Sequence, residues 1–365
     1  MRVGHIAYTY EPLIGGAEIY IHNLKKILNK YKITQHIYQG KNSPSQKNNS
    51  EIIFIPAPKL IKRKPLYSFN ALLNSQFLQL LKEDKLIIHD PFHYWPVVWH
   101  RNTIVVSHGV RWERPQQEQR WYNRVHFLSA KLAFKFANTL VANDSDFLRK
   151  MGINIKPKEG MFQKVRKNSW FIPNCVDIDL FKKNKGIEHL KKLNPILVPR
   201  NIVRGRGIHL AISAFREFNK KYPDTNLVIC GDFTDHRYKN EIFNQIVELG
   251  LLGKVYFIGS VSWEFMPNIY SSSLLTVIPT LYEEGTSLAA LESMSCGTTV
   301  VSTNVGGLVD LPTVHCKPNV KDLSVAMIDT FKNVQKIAKN QKTETRTTYN
   351  LGNFEKAWLK VLEIK

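Results

Sequence analysis

Two carboxylates near the C-terminal end of the chain are spaced for contact with a phosphorylated sugar ligand. Glu284 and Glu292 lie eight positions apart, and the sequence between them predicts a helix that begins beside Gly285. Such a helix places Glu284 at its N-terminal end and Glu292 about two turns further along. One carboxylate could meet a sugar or phosphate while the other accepts hydrogen bonds from ribose hydroxyls, and the free helix amides attract a diphosphate. Taken alone, two exposed helix glutamates explain the spacing better.

Glycines and arginines at predicted strand ends form a second set of candidates. Gly15 and Gly16 follow the first predicted strand and open a helix, where the absence of side chains lets backbone amides approach an anion. Arg200 closes the first strand of the second half, and Arg206 stands where the next helix begins. Two guanidiniums in these positions form a fork suited to a diphosphate. An ordinary turn and two solvated arginines would explain the same residues.

Charge is distributed unevenly along the 365 residues. The formal net charge is +21, and residues 1–194 hold 32 Lys and Arg against 14 Asp and Glu, which leaves 19 against 16 for the rest. A basic half favours an anionic partner such as nucleic acid, anionic lipid or an acidic acceptor. Basic residues alternate with aromatic ones over residues 59–69 and 120–136. This pattern is typical of a membrane-surface face and equally of a solvated face over an aromatic core, and both interpretations stay open.

Signals for export or membrane insertion are not found in the sequence. No apolar run approaches the roughly 18 residues needed to cross a bilayer. The chain begins directly with a predicted strand, without a charged leader and apolar core. The four cysteines have no metal-ligand spacing and suit reduced, buried thiols. We therefore expect a cytoplasmic protein, peripheral on the inner face of the cytoplasmic membrane if its basic half contacts lipid.

Short apolar runs alternate with amphipathic stretches, which predicts an α/β protein of two doubly wound domains. The first domain is expected over residues 1–180 and the second over 181–345. A helix over 320–338 is followed by a polar stretch, and residues 346–365 form a last helix that packs back toward the first domain. Ligands bind beyond the carboxyl ends of parallel strands, so the site is expected in a cleft between two facing domains.

Together the motifs resemble the retaining glycosyltransferases of family four, the glycosyl transferases group 1, which have the GT-B fold of two Rossmann-like domains. The resemblance covers most of the chain and is densest over residues 195–310. The matching phrases are Gly15-Gly16-Ala17-Glu18, Val105-Val106-Ser107-His108, Pro173-Asn174-Cys175-Val176-Asp177, Arg200, Arg206-Gly207, Cys230-Gly231-Asp232, the strand Val255–Ile258 with Gly259, Glu284 through Glu292, Cys296-Gly297 and Gly306-Gly307.

The resemblance implies how the donor's phosphates and ribose are bound. Arg200 and Arg206 would clamp the diphosphate, with Arg206 standing where the family usually has lysine. Gly15 and Gly16 would add backbone amides from the first domain. Glu292 would hold the ribose hydroxyls.

The resemblance also implies which groups face the reacting sugar. Glu284, with the backbone of Gly285 and Thr286, would face the sugar and the reacting phosphate. His108 would contact the sugar near the reaction centre, although a lone histidine after a strand is more often structural. The catalytic set is then His108, Arg200, Arg206 and Glu284. The donor-binding set is completed by Gly259, Ser287 and Leu288.

The implied activity is transfer of a hexosyl unit from a nucleotide-diphosphate sugar to a cell-envelope glycan or glycolipid, with retention of configuration. A UDP-sugar is expected before a GDP-sugar, and neither a metal nor another cofactor is expected. Two D-x-D sequences, at Asp144 and Asp177, imitate a metal site and are interpreted as structural. One alternative keeps the fold and acts as an epimerase or phosphorylase. The other is a basic non-enzymatic protein binding nucleic acid or lipid, but no motif besides charge indicates nucleic acid.

Overall fold

The structure, a computed structural model, describes residues 1–11, 13, 15–40, 50–56, 65–114 and 120–364. It divides into two compact units. The N-terminal unit comprises Met1–Asn174 together with Gly352–Lys365, and the C-terminal unit comprises Cys175–Leu351. The sequence predicts the corresponding boundaries at 180/181 and 345/346.

The N-terminal unit is built on a mostly parallel sheet, and several of its strands are short, buried apolar runs. Its strands are β1 Arg2–Ala7, β2 Thr34–Gln39, β3 Ile52–Phe54, β4 Lys85–Ile88, β5 Thr103–Ser107, β6 Thr139–Ala142, β7 Gln163–Arg166 and β8 Ser169–Phe171. They lie in the order β3-β2-β1-β4-β5-β6-β8-β7. Only the β7–β8 pairing is antiparallel within the described residues. The exposed, polar β7 has no apolar run, which is why the sequence does not predict it.

Helices of this unit cover the sheet. They are α1 Gly16–Lys30, α2 Pro65–Leu73, α3 Phe77–Leu80, α4 Arg120–Phe136 and α5 Ser145–Lys150. The first of them forms because Ile21, Leu24 and Leu28 recur on one face and are fully buried. The α5 helix begins where the Asp144 carboxylate accepts the Phe147 amide at 2.7 Å, as an N-cap.

The C-terminal helix, α13 Leu351–Leu362, packs on the N-terminal unit through residues after Gly352. Trp358 is fully buried, and its indole N–H donates to the Tyr20 hydroxyl at 3.1 Å. Phe354 meets the Tyr20 ring edge-on at 4.9 Å. Glu355 pairs with Lys30 of α1 at 2.7 Å. The last segment of the chain is therefore part of the N-terminal core.

The C-terminal unit has a parallel sheet with the six-strand order of a Rossmann fold. Its strands are β9 Pro195–Pro199, β10 Asn226–Cys230, β11 Val255–Phe257, β12 Leu275–Ile278, β13 Val300–Thr303 and β14 Val314–Cys316. They lie in the order β11-β10-β9-β12-β13-β14. The order reverses between β9 and β12, and the carboxyl ends of these two strands therefore flank the crevice where such sheets bind ligands.

The helices of this unit are α6 Glu188–Lys191, α7 Ile208–Lys221, α8 His236–Glu248, α9 Met266–Ser272, α10 Leu288–Ser295, α11 Val320–Lys332 and α12 Val334–Thr348. The prediction of one helix over 320–338 and a polar stretch after it is wrong, because α11 and α12 are separate and α12 continues to Thr348. The polar residues of α12 bind backbone: the Gln341 side chain accepts the Val300 amide at 2.8 Å and donates to the Val300 carbonyl at 2.9 Å. Hydrogen bonding to β13 thus stabilises a helix with a weak apolar pattern.

The two basic, aromatic segments have different positions in the N-terminal unit. Residues 59–64 lie outside the described residues, and Phe69 is fully buried in the core. The second segment is α4, whose basic residues are exposed. Across the described ranges, no helix is both long enough and apolar enough to cross a membrane.

Candidate functional site

The two predicted arginines lie at the carboxyl end of β9, beside the point where the strand order reverses. Arg200 directly follows β9, and Arg206 ends a short 3₁₀ helix that precedes α7. Gly207 between that helix and α7 has a φ of 70°, and any Cβ there would collide with the Pro279 carbonyl oxygen. Glycine is therefore required at position 207, where the loop after β9 approaches the loop after β12. This approach places Arg206 beside the loop after β12.

Glu284 joins both arginines. Its carboxylate oxygen Oε2 accepts hydrogen bonds from the guanidiniums of Arg200 and Arg206, and it also accepts the Thr280 hydroxyl at 3.1 Å. Arg200 donates to the same threonine hydroxyl at 2.9 Å and to the Ser287 hydroxyl at 3.4 Å. The structure thus brings together three residues that the sequence separates by up to 84 positions.

The electrostatics of this cluster favour an additional anion. Burial disfavours ionisation of Glu284, but Arg200 and Arg206 outweigh it and hold the pKa of the carboxyl below its usual value. Burial lowers the pKa of Arg200 to about 10, so its guanidinium remains charged at neutral pH. Two cations face one carboxylate, and the Arg200 Nε is buried without a partner among the described residues. The cluster therefore has a net positive charge, and the Arg200 Nε–H is available as a hydrogen-bond donor.

Glu284 lies in the loop before the helix that carries Glu292. The apolar pattern after β12 predicts that helix at about residues 287–295, and the structure has it at Leu288–Ser295, with Ser287 extended before it. A start directly beside Gly285 is therefore a few residues too early. The backbone of Glu284 is held in the loop because its carbonyl accepts the Gly307 amide at 2.8 Å and leaves no room for a Cβ on Gly306. Thr286, Ser287 and Leu288, which lead into α10, are buried.

Glu292 is buried on α10 and lies among neutral donors. The Trp263 indole N–H donates to its Oε1 at 2.8 Å, and the Tyr270 hydroxyl donates to its Oε2 at 2.9 Å. Burial raises the pKa of this carboxyl to about 7, although both hydrogen bonds oppose the rise. The sequence analysis missed Trp263 and Tyr270, because neither lies in a recognisable motif. It also missed Thr280, whose position just after the end of β12 was an available signal.

Gly259 follows β11 and has a φ of 71°, and a Cβ there would contact the Asp232 carboxylate at 3.8 Å. The Gly259 carbonyl accepts the Gly231 amide at 2.9 Å. Asp232 also accepts the Ser260 amide at 3.1 Å and the Ser260 hydroxyl at 2.5 Å. The main chain at the carboxyl end of this strand is therefore fixed by Gly231 and Asp232.

Three predicted residues belong to the N-terminal unit. Gly15 precedes α1 in an extended conformation, and Gly16 is the first residue of that helix. His108 follows β5, and both its ring nitrogens are buried without a hydrogen bond among the described residues. Its ring stacks on His89 at 6.0 Å and meets Tyr20 edge-on at 4.9 Å. Burial lowers the pKa of His108 to about 4, so the ring is neutral at pH 7.

His108, His89 and His5 have adjacent rings, an arrangement that the sequence analysis did not predict. His5 of β1 hydrogen bonds with His89 at 3.0 Å, and His89 in turn stacks on His108. His5 also hydrogen bonds with the Gln35 amide oxygen at 3.1 Å. Parallel strands β1, β4 and β5 are neighbours in the sheet, which explains why residues on or just beyond them align. Spacing along the chain gives no signal for such an alignment.

The acidic D-x-D sequences have local roles. Asp144 caps α5, and the Asp177 carboxylate accepts the amides of Asp179 and Leu180 at 3.1 and 3.2 Å. In the portion of the chain that the structure describes, no group of three His, Cys, Asp or Glu side chains is arranged to hold a metal ion.

The C-terminal unit is similar to a known protein family. The family model for glycosyl transferases group 1 matches residues 181–348. The matched region, called the group 1 region below, contains Arg200, Arg206, Glu284 and Glu292. A curated relative, one of the subunits of human phosphatidylinositol N-acetylglucosaminyltransferase, is 31% identical over 157 residues, which are 42% of this chain and 31% of that protein. The chain spans about a third of the length of the first curated relatives that it matches.

Solved structures extend the likeness from the group 1 region to the whole fold. Sucrose-phosphate synthase from Thermosynechococcus elongatus superposes with a TM-score of 0.80 at 16% identity, covering 99% of this chain and 98% of that one. Anabaena HepE in complex with UDP and glucose superposes with a TM-score of 0.79 at 15% identity, covering 100% and 99%. The chain has the GT-B fold of two Rossmann-like α/β domains, as the sequence predicts. That the two domains face each other across a cleft stays a prediction.

Proposed function

We propose that the protein is a retaining, metal-independent glycosyltransferase that moves a hexosyl unit from a nucleotide-diphosphate sugar to a cell-envelope glycan or glycolipid. The observation that carries the proposal is the Arg200–Glu284–Arg206 cluster at the carboxyl ends of β9 and β12. It combines two guanidiniums, a buried unpaired donor and the strand reversal at which Rossmann folds bind ligands. We assign the donor diphosphate to this cluster.

The chemistry follows from the charges. Cleavage of the sugar–phosphate bond places negative charge on the leaving diphosphate, and fixed cations stabilise that charge as it develops. Glu284 orients both guanidiniums before the donor arrives, so little reorganisation accompanies the reaction. A donor phosphate oxygen would take the proton of the attacking acceptor hydroxyl. Neutral His108 would contact the sugar without adding a charge that competes for the diphosphate.

Further assignments concern the nucleoside. Glu292 would accept the ribose hydroxyls, and the main chain at Gly259, which has no side chain, would meet the base. The UDP complex of Anabaena HepE supports UDP before GDP. The human relative is named for phosphatidylinositol, which supports an acceptor carried on a lipid. We place the reaction at the cytoplasmic face of the membrane.

A donor panel tests the proposal without knowledge of the acceptor. The full chain is incubated with UDP- and GDP-sugars, and slow release of free nucleotide diphosphate is followed. We expect hydrolysis of one UDP-hexose with no added metal and in the presence of a chelator. Turnover of a GDP-sugar alone would contradict the UDP assignment. An isomerised donor, or glycan cleavage that depends on phosphate, would contradict transfer.

A matched pair of arginine variants tests the diphosphate assignment. Arg206→Ala should lower donor hydrolysis by about 100-fold, because it removes one cation from the developing charge. Arg204→Ala is the control, since Arg204 lies two residues away, is exposed and pairs with Glu241 outside the cluster. Its activity should stay within about twofold of the parent. Equal activity of the two variants would refute the assignment.

A further inference from the structure

Three large apolar side chains of the α4 helix are directed outward. Trp121, Leu128 and Phe136 are 65%, 63% and 59% exposed. Half-buried Val125 and Leu132 lie between them at helical spacing, and Leu132 also packs against the core. The five residues form one stripe along the helix. We name this stripe the α4 face.

The buried side chains of α4 are small or polar. They are His126, Ser129, Ala130 and Ala133. Phe127 and Phe134 are half-buried and pack against the core, so α4 has apolar residues toward the core as well as on the α4 face. The core leaves Trp121, Leu128 and Phe136 exposed. Contiguous exposed apolar surface of this kind marks an interaction site.

A groove continues the α4 face toward the short 3₁₀ helix Trp95–Val97. Its volume is about 440 Å³, and it is lined by Trp95 and by the α4 residues Leu128, Leu132 and Phe136, with Lys131 and Lys135 at its edge. Trp95 and the nearby Val98 are themselves exposed. The groove is apolar inside and cationic at the rim, which suits a hydrocarbon chain attached to an anionic head group.

The positive charge of α4 indicates which kind of partner binds the α4 face. Arg120, Arg124, Lys131 and Lys135 are all exposed on α4, and the helix contains no Asp or Glu. A second copy of the chain docked through the same face would bring like charges together, which opposes a symmetric dimer. A lipid bilayer offers both kinds of complementary surface. Its anionic head groups match the basic side chains of α4, and its hydrocarbon matches the apolar α4 face.

We propose that the α4 face docks on an anionic phospholipid bilayer, with its apolar stripe in the interfacial region and an acyl chain in the groove. The purpose of this docking, access to a lipid-carried acceptor, rests on the proposed function. Its geometry rests on α4 and the neighbouring Trp95–Val97 helix alone.

Vesicle flotation with the full chain tests the docking. The vesicles are phosphatidylcholine alone, or equal parts of phosphatidylcholine and phosphatidylglycerol. We expect binding to the mixed vesicles that weakens as salt is added, and at least about tenfold weaker binding to phosphatidylcholine alone. Equal binding to both vesicle types, or no binding to either, would overturn the proposal.

Two double variants separate the apolar contribution from the charge contribution. Leu128→Ser with Phe136→Ser should weaken binding to mixed vesicles by at least about tenfold, because two exposed apolar side chains that would enter the bilayer are lost. Lys131→Gln with Lys135→Gln should weaken the same binding by about tenfold and leave the weak binding to phosphatidylcholine unchanged. Substitutions at exposed positions should leave the thermal midpoint within a few degrees of the parent.

Matched controls come from exposed positions in the C-terminal unit. Val247→Ser with Leu252→Ser removes side chains that are 58% and 70% exposed, and Lys321→Gln with Lys336→Gln removes two exposed charges. Neither pair should change vesicle binding, and a loss equal to that of the α4 variants would overturn the proposal. Sedimentation of the free protein supplies one more test: self-association that the Leu128→Ser, Phe136→Ser variant abolishes would assign the face to a second copy.

The donor assay distinguishes this proposal from the proposed function. The α4 variants should hydrolyse the donor in solution at the parent rate, since α4 carries none of the assigned donor-binding residues. Vesicle binding without any donor turnover would refute the glycosyltransferase and leave the docking face standing. Donor turnover without vesicle binding would refute the docking alone.

Discussion

Glu292 and Glu284 titrate in opposite directions because their neighbours differ. Burial raises the pKa of the Glu292 carboxyl to about 7, because its two uncharged hydrogen-bond donors oppose the rise too weakly. Glu284 is equally buried but lies between two guanidiniums, which lower the pKa of its carboxyl. Identical side chains eight residues apart are therefore expected to have opposite effects on the pH dependence of folding.

Glu292→Gln tests the raised pKa. A group whose folded pKa lies above its ordinary value of 4.5 binds more protons in the folded state, so its stabilising effect is full below pH 4.5. That effect is lost as the pH rises from 4.5 through about 7. The parent should lose about 3 kcal/mol across this window relative to Glu292→Gln, which cannot ionise. Urea denaturation of both proteins at several pH values measures the difference. Parallel pH profiles would show that Glu292 is not shifted.

Glu284→Gln should show the opposite trend. A lowered folded pKa stabilises the fold above the ordinary value of 4.5, and this contribution is lost as the pH falls through the folded pKa. At neutral pH the variant should be about 2–3 kcal/mol less stable, since two guanidiniums lose their anionic partner while the partly exposed Arg206 can still reach water. The gap to the parent should close in acid. Thr280→Val, which removes only a neutral hydroxyl of the cluster, is the control and should show a gap that does not depend on pH.

At the scale of secondary-structure elements, the site depends on how closely the loops after β9 and β12 approach each other. Gly207→Ala should lower the free energy of unfolding by about 2–4 kcal/mol, because the methyl group meets the Pro279 carbonyl and the φ of 70° is strained. Gly250→Ala is a matched control with a φ of 68° and nothing within 4 Å of the added carbon. It should cost about 1 kcal/mol, from backbone strain alone. Equal losses would mean that the loop contact is unimportant.

At the scale of the whole molecule, the C-terminal helix stabilises the unit that begins the chain. A protein that ends at Leu351 loses Phe354 and Trp358, which are fully buried against Tyr20 and its neighbours. The N-terminal unit should lose more than about 3 kcal/mol, as for removal of one large buried aromatic residue. Hydrogen exchange should accelerate in β1 and β4, while β9 and β12 of the C-terminal unit serve as an internal reference.

A shorter truncation controls for the loss of chain length. A protein that ends at Glu363 keeps every buried residue of α13, namely Phe354, Ala357, Trp358, Val361 and Leu362. Its exchange rates should match those of the full chain. If the two truncated proteins exchange alike, or if β9 and β12 accelerate as much as β1 and β4, the helix does not act on the N-terminal unit alone.

The sequence by itself determined the α/β architecture and the members of the arginine–glutamate cluster. Buried parallel strands require nearly continuous apolar runs, and β5, β6 and β10 are such runs in the sequence. Arg200 could be predicted because it closes a strand, and Glu284 because of its spacing from Glu292 and the family resemblance.

Tertiary structure decided the features that depend on which elements become neighbours. Trp263 and Tyr270 donate hydrogen bonds to Glu292 across 29 and 22 residues, and no local pattern encodes those contacts. The polar α12 is a helix because Gln341 binds the backbone of β13. The aromatic and aliphatic residues of α4 have the period of a core helix, and only packing shows that Phe127 and Phe134 meet the core while Trp121, Leu128 and Phe136 remain exposed. Periodicity reports that a helix has an apolar face, whereas long-range packing decides whether that face meets the core or remains exposed.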